Sequence, residues 1–138
     1  MQIEICKSLL DSNRRTGGCR INENEIAVTT DGFSCFVFYV KECIFDREKL
    51  PIIEALKSVC DDNEKDEPIK ATGEMFRFGD KWLRKYEGEN IELYADVKIA
   101  SKFEGYNLYA FSELNRVLVK DEFGRKLGVF LPTRYYKK

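Results

Sequence analysis

Histidine is absent from this chain of 138 residues. Its absence removes the commonest general base, the commonest metal ligand and every catalytic triad built on an imidazole. The five cysteines are well separated and form no CxxC pair, which argues against a zinc knuckle. No apolar run approaches the ~18–20 residues of a membrane-spanning helix. The sequence therefore predicts a cytoplasmic protein with reduced, buried thiols and with no metal or cofactor.

An excess of one charge is also lacking. Lys and Arg number 23, Asp and Glu number 24, and the formal net charge is -1. This balance argues against a wholly basic nucleic-acid binder but allows a local basic face. The acidic residues fall in predicted turns, as in Asp61-Asp62 and Asp121-Glu122, where carboxylates cap and solvate the backbone. Because no two carboxylates stand at a strand end beside a lysine, as in metal-dependent nucleases, we do not expect an enzyme.

Helices and short strands alternate along the chain. Apolar residues at helical spacing predict helices at 2–13, 47–60 and 97–103. Runs rich in β-branched and aromatic residues predict strands at 19–22, 26–30, 33–40, 43–45, 69–78, 81–87, 91–95, 106–111, 117–119 and 127–131. This order predicts one α+β domain, residues 1–138, with a charged loop at 61–68 between two halves. We expect antiparallel sheets of short meandering strands, two or three helices packed on one side, and internal pseudo-symmetry.

Local turn chemistry supports several of these elements. Gly79-Asp80 predicts a tight turn between two strands, and Gly73 predicts a bulge in the first of them. Asp96 is a candidate N-cap for the helix at 97–103. The clearest hairpin is the C-terminal one, in which a charged turn containing Gly124 joins two apolar runs.

Three short stretches resemble DNA sliding clamps of the bacterial β clamp type. Ala27 to Gly32 (AVTTDG) is similar to a turn in the middle domain of those clamps. Cys43 to Leu56, a short strand that feeds a helix, is similar to the step halfway through a clamp domain. Gly128 to Arg134 (GVFLPTR) resembles the closing strand, which ends in a hydrophobic-Pro-x-Arg motif. The chain as a whole resembles a single clamp domain in the order of its elements, although extra strands around Met75 to Leu93 depart from that plan.

The resemblance implies a binding pocket near the C-terminus. Clamps hold short linear peptides of partner proteins there, and Pro132 and Arg134 match the motif at the border of that pocket. Leu131 and Tyr135 would extend it. The alternative is a strand end, since proline stops a strand and exposed basic residues keep a tail soluble. The resemblance also implies replication factors and DNA as partners. A ring needs six such domains, so a single domain would either assemble into a homo-oligomer or act in another way, and its small size suggests a phage or mobile-element source.

A second candidate site lies in the stretch KWLRKYE. Strict alternation places Trp82, Arg84 and Tyr86 on one face of a strand, where they could stack on the bases of a single-stranded nucleic acid. Lys81 and Lys85 add to the densest positive charge in the chain. Core packing or an oligomer interface is the alternative explanation for these aromatic residues.

Three functions follow from these observations. The first is a non-enzymatic clamp-like domain that acts through protein–protein contacts and DNA. The second is a small single-stranded nucleic-acid-binding protein that uses the strand of Trp82, Arg84 and Tyr86. The third is an interaction or inhibitor module unrelated to clamps.

Overall fold

A computed structural model describes residues 17–20, 23–29, 33–39 and 59–135. The described residues form nine strands: β1 (Gly17–Arg20), β2 (Glu25–Thr29), β3 (Ser34–Tyr39), β4 (Glu67–Phe78), β5 (Lys81–Glu87), β6 (Glu92–Asp96), β7 (Asn107–Phe111), β8 (Leu114–Lys120) and β9 (Lys126–Phe130). A short helix, α1 (Val97–Ala100), and a 3₁₀ turn, Ser101–Phe103, lie between β6 and β7. Among these residues no helix has the length and apolar content needed to cross a membrane.

The nine strands form one antiparallel sheet in the order β1-β2-β3-β9-β8-β7-β4-β5-β6. The long strand β4 connects its two parts. Residues Glu67 to Ile69 pair with β7, and residues from Lys70 onward pair with β5. The first residues of β4 therefore belong to the main sheet, and the rest of β4 forms a hairpin with β5 that projects beyond β7.

The predicted fold class is wrong. Within the described ranges, a single antiparallel sheet carries one α-helix of four residues, where we expected an α+β domain with two or three helices packed on one side. Short apolar runs along the sequence suggest separate meanders, whereas the strands belong to one sheet. Strand β4 has 12 residues and pairs on both sides, and β3 pairs with β9 from the other end of the chain. Such long-range pairing leaves no mark in the local pattern.

Two of the predicted helices fall largely outside the described residues. The helix at 2–13 and the strand at 43–45 lie wholly outside them. Of the helix at 47–60, only Val59 and Cys60 are described, and both have helical backbone. The third predicted helix is confirmed as α1 and its 3₁₀ extension, since the carboxylate of Asp96 accepts a hydrogen bond from the Lys98 amide at 3.0 Å.

The local predictions around the β4–β5 hairpin and the C-terminal hairpin are confirmed. Gly79 and Asp80 form the two-residue turn, and Gly79 has a φ of 64° that suits glycine. A register shift between Ala71 and Met75 marks the bulge, with Gly73 at a φ of 87°. Strands β8 and β9 form the terminal hairpin around Gly124.

The central strands bury apolar side chains on both faces. On β8, Val117 and Val119 belong to one hydrophobic cluster and Leu118, between them, belongs to another. All three are fully buried. The first cluster also contains Tyr86 of β5 and Phe103 of the 3₁₀ turn, so that the extended hairpin is anchored to the main sheet at its base.

The charged loop at 61–68 is held tightly against the sheet. The guanidinium of Arg116 on β8 donates to both carboxylate oxygens of Asp66, at 2.7 and 2.9 Å, and to the carbonyl of Asp61 at 3.1 Å. Arg116 is 2% exposed and the Asp66 side chain 8%. This buried, bidentate ion pair holds the loop against β8.

Candidate nucleic-acid interface

The β4–β5 hairpin has an exposed face that we call the Trp82 face, formed by Met75, Arg77, Trp82 and Arg84. The two-residue turn sets the register, so that Arg77 lies directly opposite Trp82 and Met75 opposite Arg84. Residues directly opposite each other in an antiparallel pair point to the same side of the sheet. The four side chains therefore share one surface, with an indole and a thioether between two guanidinium groups.

The aromatic and apolar side chains of this face are accessible to a ligand. Trp82 is 49% exposed and Met75 is 51% exposed. Two large apolar side chains are thus exposed on the outer part of the hairpin and line one groove.

Neither arginine of the Trp82 face forms an ion pair with a described carboxylate. The Nε of Arg77 donates to the carbonyl of Gly79 at 3.2 Å, which orients its guanidinium beside the turn. Arg84 makes no ion pair with any described residue. Beyond the bulge, the described strand positions on this side of β4, β5 and β6 include no acidic residue, whereas Glu67 lies on the same side of β4 at the base of the hairpin.

The structure separates the residues of the second predicted site. Trp82 and Arg84 lie together on the exposed part of the face. Tyr86 lies on the same side of β5 but is 4% exposed and packs in the core. Lys81 and Lys85 lie on the opposite side of the strand.

Lys85 is committed to acidic partners on that opposite side. Its Nζ lies 3.3 Å from a carboxylate oxygen of Glu92 and 4.0 Å from one of Glu74. The hydrogen bond to Glu92 is the main reason why the pKa of Lys85 is raised. Its charge is therefore largely compensated within the protein and is a weak candidate for phosphate binding.

Two grooves flank the Trp82 face. One, of about 450 Å³, lies beside Met75 and Trp82 and is also lined by Lys98 of α1. The carboxylates of Asp80 and Asp96 lie in the same lining. The other groove, of about 410 Å³, lies beside Arg84, where β4 leaves β7. Its lining residues are Pro68, Ile69, Lys70, Ala71, Arg84, Tyr86, Ala100, Phe103, Glu104, Gly105, Tyr106, Asn107, Leu108 and Tyr109. Both have the size of ordinary ligand sites.

The C-terminal residues predicted to border a peptide pocket are engaged within the chain. The amide of Leu131 donates to the Phe33 carbonyl, and the amide of Thr133 donates to the Tyr94 carbonyl, each at 2.8 Å. The ring of Tyr135 lies 4.9 Å from those of Phe76 and Tyr94 and 5.2 Å from that of Phe78, centroid to centroid. Pro132 is half-buried and Arg134 is exposed. These contacts are those of a strand end that closes against β6.

The described cysteines are placed for packing. Sγ of Cys35 lies 3.8 Å from Sγ of Cys60, and both thiols are buried. The hydrogen bond between them lowers the pKa of Cys60. Because Cys60 has no exposed surface, a substrate cannot reach its sulfur. Within the described ranges no group of three acidic or cysteine side chains could hold a metal ion.

Sequence reasoning missed Met75 and Arg77. Both belong to β4, and the alternation of side chains within β5 gives no information about the neighbouring strand. The turn at Gly79-Asp80 was recognised, and counting outward from a two-residue turn pairs Phe78 with Lys81 and then Arg77 with Trp82. The information was therefore present in the sequence.

No protein-family model matches this chain, and comparisons with curated proteins and with solved structures give no match either. The functional argument consequently depends on the chemistry of the residues alone.

Proposed function

We propose that this chain is a non-enzymatic, cytoplasmic binding protein and that the Trp82 face binds single-stranded nucleic acid. The observation that carries the proposal is the exposed indole of Trp82 beside two arginines on a part of the hairpin face, beyond the bulge, where no strand position is acidic. Unpaired bases stack on aromatic side chains whatever their sequence, and guanidinium groups contact the phosphates that connect them.

A single strand suits this surface better than a duplex. The bases of a duplex are stacked on one another and present only their edges in the grooves, which an element must enter to read. The Trp82 face instead presents a flat ring, half exposed, which only an unstacked base can cover. Arg77 lies directly opposite Trp82 on β4, and Arg84 lies two residues further along β5 on the same face.

The other predicted functions stay predictions. The clamp resemblance has not been tested by any match, but the arrangement of helices that it implied differs from the described sheet. The predicted peptide pocket at Leu131, Pro132, Arg134 and Tyr135 stays a prediction; the amide of Leu131 and the ring of Tyr135 make contacts within the chain, and Arg134 is exposed.

The proposal is tested by titrating the full chain into a fluorescent oligothymidine of about 15 nucleotides, near the upper end of single-strand site sizes, and measuring anisotropy. We expect Trp82→Ala to weaken binding about 5- to 150-fold, the loss of one stacked base. Arg77→Met should lower the slope of log affinity against log salt by about 0.7.

Phe123→Ala is the matched control, because Phe123 is an aromatic residue 86% exposed in the turn between β8 and β9, outside the Trp82 face. It should bind as the wild type does. Failure of the wild type to bind at low salt, or equal affinity of the Trp82→Ala and Phe123→Ala proteins, would refute the proposal.

A further inference from the structure

The groove of about 410 Å³ beside Arg84 lies on the same side of the sheet as the Trp82 face. Arg84 and Tyr86 of β5 contribute to its lining, as do Ala100 of α1 and Phe103 of the 3₁₀ turn. Tyr86, Ala100 and Phe103 belong to one hydrophobic cluster, which places the groove on their side of the sheet. Because Arg84 belongs both to this lining and to the Trp82 face, the two surfaces are continuous.

Tyr106 presents a partly open aromatic ring in this lining. It follows the 3₁₀ turn and comes directly after Gly105, whose φ of 88° turns the chain towards β7. The amide of Tyr106 donates to the Phe103 carbonyl at 3.3 Å, so the backbone that carries the ring is held in place. The side chain is 41% exposed, whereas Phe103 and Tyr86 of the same lining are 1% and 4% exposed.

The groove has the chemical character that a nucleobase requires. Its lining side chains are mostly apolar or aromatic, with a few polar groups, which is the usual composition of a ligand site. A base has flat faces of low polarity and a polar edge. The ring of Tyr106 can cover one face of a base, as aromatic side chains do in proteins that bind single strands.

Arg84 lies between Trp82 and the groove. Along this face of β5 the order is Trp82, Arg84 and Tyr86, and Tyr86 belongs to the groove lining. Four residues of a strand span about 14 Å, at ~3.4 Å per residue. A few nucleotides of a single strand bridge that distance. The guanidinium of Arg84 is thus placed for a phosphate that connects a base on Trp82 with a base in the groove.

Charge favours a nucleotide strand over other occupants. Glu104 lies in the lining, so a ligand that is only an anion would be repelled. An apolar protein segment would leave the half-buried Arg84 without an anionic partner. A nucleotide strand provides a base for the apolar lining and a phosphate for Arg84. The carboxylate of Glu67, outside the lining, accepts hydrogen bonds from Asn90 at 2.8 and 3.0 Å.

We propose that this groove holds a second base of the single strand bound at the Trp82 face, stacked on Tyr106, with a connecting phosphate at Arg84. This second site, which rests on the proposed single-strand binding at the Trp82 face, gives the strand a path from the tip of the hairpin towards β7. Tyr106 is then a nucleic-acid-binding residue outside the hairpin.

The single tryptophan of the chain allows the two sites to be followed separately. A base stacked on the indole quenches the fluorescence of Trp82, and the anisotropy of a labelled oligothymidine of about 15 nucleotides gives the overall affinity. We expect Tyr106→Ala to weaken binding about 5- to 150-fold, the loss of one stacked base, and to leave the Trp82 quenching at saturation unchanged. Tyr106→Phe, the matched control, keeps the ring and should bind as the wild type does.

Glu104→Gln tests the electrostatics of the same groove without removal of a stacking ring. Glu104 is exposed and would lie near the phosphates of the bound strand. Removal of its charge should tighten binding about 2- to 5-fold at low salt, and the gain should disappear at high salt, where the repulsion is screened. Glu113→Gln is its control, because Glu113 is an exposed carboxylate between β7 and β8, outside the lining, and this variant should bind as the wild type does.

Equal affinities of Tyr106→Ala and the wild type, with Trp82 quenched in both, would overturn the second site and leave the Trp82 face as the binding surface. An affinity of Glu104→Gln no higher than that of Glu113→Gln at low salt would also overturn it. Absence of both quenching and anisotropy change in the wild type would overturn the Trp82 face and the second site together.

Discussion

At the scale of single residues, Arg116 makes the most constrained polar contact among those described. Its guanidinium is buried between β8 and the loop at 61–66 and shares two hydrogen bonds with Asp66. Arg116→Met leaves a buried carboxylate whose charge is no longer compensated, although the Asn63 amide still donates to it. We expect a loss of about 3–5 kcal/mol of unfolding free energy, measured by urea denaturation.

Lys120→Met is the matched control for Arg116→Met. Lys120 lies on the same strand and pairs with Asp62 of the same loop at 2.8 Å, but the two side chains are 22% and 57% exposed. Exposed pairs contribute less than about 1 kcal/mol. Similar losses in the two variants would show that burial does not set the strength of these pairs.

A property of a single residue is predictable from the sequence when it is set by neighbouring residues, and not when it is set by distant ones. Alternation along β5 placed Trp82, Arg84 and Tyr86 on one face, and the register agrees. Their exposure could not be read in the same way, because it depends on how far β5 extends beyond the core. Likewise the partner of Arg116 is 50 residues away in the sequence, and nothing near either residue indicates the pair.

At the scale of elements, β9 and the 3₁₀ turn are fitted to each other at Gly128. A Cβ atom on Gly128 would lie 2.5 Å from Cε1 of Phe103 and 2.6 Å from the carbonyl oxygen of Cys35 on β3. The ring could shift, but the carbonyl belongs to a paired strand and cannot move without disturbing the sheet. We therefore expect Gly128→Ala to lower the free energy of unfolding by about 1–3 kcal/mol, measured by urea denaturation.

A second substitution separates the two contacts at Gly128. Phe103→Leu removes the ring atoms that a Cβ would meet and leaves the Cys35 carbonyl in place. The cost of Gly128→Ala should then be smaller in the Phe103→Leu background than in the wild type, but it should not vanish. If Gly128→Ala costs nothing in the Phe103→Leu background, the Phe103 ring alone causes the strain. An unchanged free energy of unfolding in the Gly128→Ala single variant would contradict the close fit itself.

Elements set by neighbouring residues were predictable, and the assembly of elements was not. Strand β5, its turn at Gly79-Asp80 and the cap at Asp96 each depend on a few adjacent residues. The predicted fold class is wrong because β3, which precedes the charged loop, pairs with β9 near the other end of the chain, so that one sheet crosses the division predicted at that loop. That loop is polar because it is a surface turn, and its Asp66 nevertheless anchors it to β8.

At the scale of the whole molecule, stability is unevenly distributed. Strand β8 is central, and Val117, Leu118 and Val119 have no exposed surface. The outer half of the β4–β5 hairpin has exposed side chains on both faces, and it contacts the rest of the chain through its base, β6, α1 and the residues after β9. The Trp82 face therefore lies on the part of the sheet that is held least firmly, as is usual for binding elements.

The C-terminal residues should determine how firmly the β4–β5–β6 part is held. Thr133 pairs with Tyr94 of β6. Tyr135 contacts the rings of Phe76, Phe78 and Tyr94 on the side of the sheet opposite to the Trp82 face. Aromatic pairs contribute about 0.5–1.5 kcal/mol each, so the loss of all three in Tyr135→Ala should speed native-state hydrogen exchange of β5 and β6 amides by roughly 10- to 2,000-fold. Amides of β8 should exchange at unchanged rates, because they open only with the whole sheet. Equal acceleration in β8 and β5 would mean that the molecule opens as one unit and that the hairpin has no independent mobility for binding.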